Sequence, residues 1–311
     1  MEQSKPQFSE LFEQTILYPD PEMKSRLDLL VGLDEKKLRM SKILGLLVNP
    51  DGFLQWIKKH HEGARGISNA VLRRPPLIIL AGDVGAGKSE LAVTIGDLVA
   101  RQEKIDVELL PLSLASRGQG RVGEMTQLIS AAFGYTIEKA KKLQNGSSKS
   151  NGAIILLVDE ADALAQSREN DQMHHEDKAG VNAFIRGIDS LGNGRLPAAV
   201  IMCTNRPESL DPAVRRRAAE IFIFNRPDEQ QRAAVLSNPL TELGIDAPTI
   251  QKIVELTGAS GGRNYGVTYS DIMQRILPSI VLDAYPDKSV TNESALKIAE
   301  SIAPTPPFNE N

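Results

Sequence analysis

A single cysteine, Cys203, excludes an internal disulfide and fits a reducing cytosol. No apolar run approaches the length needed to span a bilayer, and the N-terminus is polar. A soluble, cytoplasmic protein without membrane partners is therefore expected. An excess of positive charge is also missing. Lys and Arg number 36 against 40 Asp and Glu, a net charge of −4, which lacks the electrostatic footprint of nucleic-acid binding; only a local basic groove stays open. There is no internal repeat. What remains is ordinary for a globular chain: 311 residues, 41% hydrophobic and 24% charged, enough for one large or two modest domains.

Against this background one stretch stands out. Gly82-Asp83-Val84-Gly85-Ala86-Gly87-Lys88-Ser89 reads G-x-x-x-x-G-K-S, the loop that cradles nucleotide phosphates. Its glycines allow a tight fold that aims successive N–H groups at the β- and γ-phosphates. Lys88 adds a point charge, and the Ser89 hydroxyl is placed for Mg²⁺. Leu77-Ile78-Ile79-Leu80 before it reads as a buried strand. Glu90 to Ala100 after it reads as a helix whose N-terminus favours anions. The eight-residue pattern arises by chance in roughly 1% of chains this long, so with the strand and helix in place a chance match is set aside.

Around this loop the expected order is as follows. Phe8 to Leu17 reads as a short amphipathic helix, and a second helical pattern runs through Leu27, Leu29 and Leu30. A third runs from Glu35 to Leu47. Asn49-Pro50-Asp51-Gly52 is a turn signal, followed by a short helix from Phe53. Asp106 to Leu112, Ala153 to Val158, Ala198 to Cys203 and Ile221 to Phe224 read as strands, alternating with helices at 124–133 and 181–191. Residues 145–152 are low-complexity and loop-like. Strands alternating with helices imply a three-layer α/β fold with a parallel sheet. Beyond Pro227 only helical patterns follow, at 228–237, 248–257, 270–284 (interrupted by Pro278) and 291–303, an all-helical lid.

The chemistry gathers at strand ends. Leu156-Leu157-Val158-Asp159-Glu160 lifts two carboxylates to the sheet edge. An apolar run ending in acids is in isolation an ordinary strand end; after a phosphate loop it has the form of a Walker B motif. Asp159 would then ligate Mg²⁺ with Ser89, and Glu160 would polarise the attacking water. Asn205, in Thr204-Asn205-Arg206-Pro207, either orients that water or belongs to a plain turn. Arg215-Arg216-Arg217 is three adjacent cations, which either meet a partner's phosphate or form a solvated basic turn.

Together, the phosphate loop, Asp159-Glu160, Asn205, the segment Asp211-Pro212-Ala213 to Arg217 and the helical C-terminus resemble an AAA+ ATPase, from about Val31 onward. The resemblance implies an AAA+ P-loop three-layer parallel sheet over 31–227, preceded by an N-terminal helical segment at 1–30. It is followed by a small helical lid at 228–303 and a loose tail at 304–311. It implies Lys88 and Ser89 as Walker A and Asp159 and Glu160 as Walker B. It also implies Asn205 as sensor 1, Arg217 with Arg216 as fingers reaching a neighbour's γ-phosphate, and Val31-Gly32 at the adenine. ATP with Mg²⁺ would contact Gly82, Asp83, Val84, Gly85, Ala86, Gly87, Lys88, Ser89 and Glu90. Assembly as a homo-hexamer would follow.

Within AAA+, the stretches Ile16-Leu17-Tyr18-Pro19-Asp20, Leu112-Ser113-Leu114, Val181-Asn182-Ala183 through Ile188-Asp189, and Arg217-Ala218 are similar to the Pch-two/Trip-thirteen ATPases that remodel HORMA-domain proteins. The chain resembles the compact bacterial members encoded with cyclic-oligonucleotide (CBASS) antiphage systems. That resemblance implies partial unfolding of a HORMA-domain protein and disassembly of its complex with a nucleotidyltransferase. Two positions depart from the pattern. The first pore loop, Arg117-Gly118-Gln119-Gly120-Arg121, has no aromatic, which leaves grip to backbone and charge with help from the 169–180 loop. Ser270 or Asp271 stands where these remodellers have the sensor 2 arginine, with Arg263 or Arg275 as substitutes.

Other patterns in the sequence carry less. Asp159-Glu160-Ala161-Asp162 spells the DEAD of RNA helicases by coincidence, since no length remains for a second motor domain. His174-His175-Glu176-Asp177 reads as a polar loop rather than a metal site, because adjacent histidines do not readily share one ion. Trp56, Tyr18 and Tyr269 read as packing residues. The alternative function is a DNA-associated AAA+ switch of clamp-loader or initiator type; a degenerate ATP-gated scaffold is disfavoured by the intact Glu160, Asn205 and Arg217.

Overall fold

The computed structural model describes residues 11–112, 124–144, 150, 152–162, 175–193, 196–259 and 264–308. Within them the apolar runs become one sheet of six strands. β1 is Ile16–Tyr18, β2 Leu77–Gly82, β3 Asp106–Pro111, β4 Gly152–Val158, β5 Ala198–Thr204 and β6 Ala218–Phe224. The order across the sheet is β1-β3-β4-β5-β2-β6. β3, β4, β5 and β2 pair in parallel, and every residue of β2, β4 and β5 is buried, which is why those runs show no polar alternation. Val158 pairs with Met202 and Ala81 with Thr204. The carboxyl ends of β4, β5 and β2 therefore share one edge of the sheet, the edge where ligands bind in open parallel sheets.

The helices before and between the strands are α1 (Pro21–Asp28), α2 (Asp34–Val48), α3 (Pro50–His60), α4 (Arg65–Leu72), α5 (Lys88–Glu103), α6 (Glu124–Leu143), α7 (His175–Asn193) and the short α8 (Pro212–Arg215). After β6 come α9 (Glu229–Glu242), α10 (Ala247–Leu256), α11 (Tyr269–Asp271), a π-helical turn at Ile272–Ile276, α12 (Leu277–Ala284) and α13 (Asn292–Ser301).

Two compact units emerge. The first is Met1–Leu27, Glu35–Ala81 and Ser89–Ile223; the second is Asp28–Asp34, Gly82–Lys88 and Phe224–Asn311. This grouping differs from a division at 227, because residues 28–34 and 82–88 cluster with the C-terminal helices. The first unit's core lies against the sheet, where Phe133 of α6 meets Phe184 of α7 edge-on at 5.7 Å. The second unit has its own core of Leu236, Leu240, Ile253, Ile272, Ile276 and Ile280.

Several expectations are corrected. The helix expected from Phe8 to Leu17 gives way in the described residues to an edge strand, while Pro21–Asp28 is helical. β1 pairs antiparallel with β3, and Phe12 bridges Leu112. Tyr18 explains this: it is fully buried, its hydroxyl donates to the Val93 carbonyl, and its ring fills the space beside Gly96, where a Cβ would come within 2.3 Å. Burial and ladder bonds outweigh a weak local pattern. Asn49-Pro50-Asp51-Gly52 is not a turn but the start of α3. Asn49 is the N-cap, its side chain accepting from Gly52 N, and Pro50 opens the first turn. His175, Glu176 and Asp177 stand in α7 rather than in a loop; His174 lies outside the described residues. The tail is tied at Thr305, whose N–H and hydroxyl both donate to Asp271, a buried carboxylate that needs donors. Trp56 is 48% exposed, stacked on Phe53 and beside His61, and is not a core residue. Among the described residues no helix is long and apolar enough to cross a membrane.

Candidate active site

The phosphate loop begins where β2 ends. Gly82, Gly85 and Gly87 have φ of 139°, 68° and 90°, a region open to glycine and strained for other residues. At Gly82 a Cβ would sit 2.0 Å from the Phe224 carbonyl oxygen, so the loop's first residue has no room for a side chain. Lys88 is only 6% exposed; its Nζ donates to the carbonyls of Gly82 at 3.0 Å and Asp83 at 2.6 Å. An ammonium held by its own loop at the start of a sixteen-residue helix is a site for anions.

Asp83 brings a carboxylate into that anion loop, and the structure supplies a cation. Arg226 Nε donates to Asp83 Oδ2 at 2.6 Å, its Nη1 to the Gly266 carbonyl at 2.6 Å, and its guanidinium lies 4.6 Å over the Tyr265 ring. Arg226 was not singled out from the sequence. The available signal was the acid itself, since a carboxylate beside bound phosphate calls for a neutralising partner. Ser270 N donates to the Gly85 carbonyl at 3.1 Å, so the start of α11 touches the loop directly. The carbonyl of Gly32, at φ 79°, accepts from Gln231 Nε2 at 2.9 Å, which ties the loop before α2 to α9. Tyr269 is half-buried; burial pushes its hydroxyl up to about 12, so it stays protonated.

In the first unit, Asp159 follows β4 and its Oδ1 accepts from Glu160 N at 2.9 Å. Glu160 is exposed and left-handed, φ 50°, a conformation that costs of order 1–3 kcal/mol and collects at functional sites. Asn205 is half-buried just beyond β5, its N–H donating to Asp162 at 2.8 Å. Arg217 and Arg216 part company. Arg217 grips Asp189 of α7 through Nε at 2.6 Å and Nη2 at 2.9 Å and also donates to the Ala213 carbonyl. The Asp189 hydrogen bond raises the Arg217 pKa above its ordinary value. Arg216, by contrast, is exposed. Glu90 spends its carboxylate on Arg26, at 2.7 and 2.8 Å, which leaves its backbone rather than its side chain for a ligand. Ser89 is exposed.

Asp271, at the place expected for sensor 2, is buried and its carboxyl accepts from Thr268 N, Thr305 and Arg275. Arg275 also donates to the Ala303 carbonyl. Ser270 is bonded to Gln274. Arg263 lies outside the described residues, as do Arg117, Gly118, Gln119, Gly120 and Arg121.

These residues fit a nucleoside triphosphate. The loop admits only glycine where it turns, and its lysine is held inward. They also fit Mg²⁺, a hard cation that binds through one or two carboxylates, hydroxyls and the phosphates themselves. Asp159 and Ser89 are donors of that kind, and among the described residues no cluster of three His, Cys, Asp or Glu builds a separate metal cage.

Comparison with known proteins follows the same lines. The model of the ATPase family associated with various cellular activities (AAA) matches residues 78–226. A CD-NTase-associated protein 6 of Escherichia coli strain MS 115-1 is 62% identical over 304 residues, 98% of this chain and 98% of that protein. Among solved structures, a chain of the E. coli MS115-1 HORMA:CdnC:Trip13 complex superposes with a TM-score of 0.90 at 61% identity, covering 98% of this chain and 100% of that one. A Rhizobiales Trip13 gives a TM-score of 0.75 at 55% identity, covering 96% of this chain and 100% of that one.

Proposed function

Since this chain belongs to the AAA ATPases, in the family of the CD-NTase-associated protein 6 and Trip13 proteins, we propose that it is an ATP-driven remodeller of a HORMA-domain protein. It would partially unfold that protein and so take apart its complex with a cyclic-oligonucleotide synthase, regulating antiphage signalling in the cytoplasm. Support comes from the relative at 62% identity along nearly the whole chain and from the HORMA and CdnC chains that accompany the similar Trip13 structure. The DNA-switch reading draws no support from these relatives.

The observation that carries the chemistry is the phosphate loop, with three left-handed glycines and a buried Lys88. Lys88 and the loop N–H groups would hold the β- and γ-phosphates. Ser89 and Asp159 would hold Mg²⁺, which when bound neutralises charge on the phosphoryl oxygens. Glu160 polarises water, and Asn205 orients it. Arg216 and Arg217 would act on the nucleotide of a neighbouring copy, which requires a ring, in this family a hexamer. Arg217 would have to leave Asp189 to do so, whereas Arg216 is already exposed. The segment Arg117–Arg121 would grip substrate by charge and backbone.

The test is hydrolysis by the full chain with and without the HORMA-domain protein encoded beside it. Stimulation by that protein, lost in Glu160→Gln with ATP still bound, is the expected result. Hydrolysis that Glu160→Gln leaves at the parental rate would remove the assigned base, and hydrolysis indifferent to every HORMA protein offered would remove the substrate.

A further inference from the structure

Asp162, the last residue of Asp159-Glu160-Ala161-Asp162, has no part in the chemistry above, yet the first unit is built around it at one point. Its Oδ1 accepts from the Thr204 hydroxyl at 2.7 Å and from Asn205 N at 2.8 Å. One residue earlier, Ala161 N donates to the Cys203 carbonyl at 2.9 Å. The turn after β4 is thus stapled to the end of β5 at three consecutive residues, Cys203, Thr204 and Asn205. The Thr204 hydroxyl in turn accepts from Arg206 N at 3.1 Å, fixing the residue beyond.

What the staple holds is unusual. Glu160 lies inside the turn in a left-handed conformation that a glutamate does not adopt by preference. It is pinned from one side by the Asp159 carboxylate on its own N–H and from the other by Ala161 and Asp162. A carboxylate is a strong acceptor, and here one oxygen, carried by the turn after β4, takes two bonds from the end of β5. We infer that Asp162 is a positioning residue for hydrolysis: it fixes Glu160 and Asn205 relative to each other, so that acid and amide meet the same water. A misplacement of about 1 Å between such groups costs on the order of a hundredfold in rate, which gives the staple a catalytic purpose beyond capping a strand. The inference rests on the ATPase reading and on Asn205 as the orienting amide.

The experiment compares steady-state ATP hydrolysis, nucleotide binding and thermal unfolding of the full chain with those of Asn205→Ala, Asp162→Ala, Asp162→Asn, Thr204→Val and the double variants Asp162→Ala/Asn205→Ala and Thr204→Val/Asn205→Ala. Asp162→Ala is expected to lower kcat by about tenfold or more while KM and nucleotide affinity change less than about threefold. Asp162→Asn, whose amide oxygen still accepts both bonds, should recover most of the rate. Asp162→Ala/Asn205→Ala should be no slower than Asn205→Ala within about twofold, because the two residues act as one unit. Thr204→Val removes one bond of the staple and keeps the test alive if Asp162→Ala does not fold; a kcat loss absent in the Asn205→Ala background is the expected sign. Independent, multiplicative losses, or Asp162→Ala and Thr204→Val at the parental rate while Asn205→Ala is slow, overturn the inference alone. Parental hydrolysis in Asn205→Ala would take away the amide's role and the inference with it.

Discussion

Asp83 sits in a loop meant for phosphate, and a second negative charge there opposes the ligand unless it is neutralised. Arg226 does this at 2.6 Å with both side chains largely buried, 12% and 19% exposed. Removing one partner of such a pair strands the other charge, which costs several times more than removing both. Arg226→Gln should therefore weaken ATP binding by at least about tenfold, and Asp83→Asn/Arg226→Gln should recover much of it, as read by titration with a fluorescent ATP analogue. Equal weakening in the single and double variants would mean that Arg226 serves the loop through Gly266 and Tyr265 rather than through the charge. Neither partner announces the other in the sequence, since 143 positions separate them.

At the scale of elements, the start of α11 concentrates polar demand in an apolar unit. Thr268 and Asp271 form a capping box in which each side chain accepts the other's backbone N–H. Asp271 is 1% exposed; burial alone would raise its carboxyl, but hydrogen bonds from Thr268, Thr305 and Arg275 outweigh that and hold it at about 2. A folded pKa below the unfolded one gives stability that is full above about pH 4 and is lost as pH falls through about 2, worth about 2 kcal/mol at neutral pH. Asp271→Asn should speed amide hydrogen exchange across 229–301 at pH 7, and the gap from the parent chain should close between about pH 4 and pH 2. A gap that persists at pH 2 would assign the loss to packing. In the same stretch Pro278 does not break the helix. The preceding turn widens instead, with Leu277 N reaching the Ile272 carbonyl five residues back, which makes room where proline has neither donor nor space. The helical patterns read at 228–237, 248–257 and 291–303 fall on the helices at 229–242, 247–256 and 292–301, and the buried strands were equally legible. β1 was not, because three residues at a sheet edge show no period of their own and are decided by the partner strand.

For the whole molecule, the role proposed for Arg216 and Arg217 at a neighbour's nucleotide would make activity a property of the assembly. Two chains, Glu160→Gln and Arg216→Ala/Arg217→Ala, should each be inactive alone. Mixed in equal amounts they should regain about a quarter of parental hydrolysis, because in a head-to-tail ring one boundary in four then joins an intact Glu160 to intact arginines. A mixture no better than its components would place the arginines in the same chain's chemistry. The sequence alone determined the ATPase class, because a phosphate loop is read by consecutive backbone groups and short-range spacing survives without a fold. Strand identity along 77–80, 153–158 and 198–203 followed from their uninterrupted apolar runs for the same local reason. Tertiary structure alone decided the partners: Arg226 for Asp83, Asp189 for Arg217 across 28 positions, and Asp162 for Asn205 across 43. Those pairs depend on which strand lies beside which and on what each carboxylate meets once water is excluded, and no local pattern encodes either.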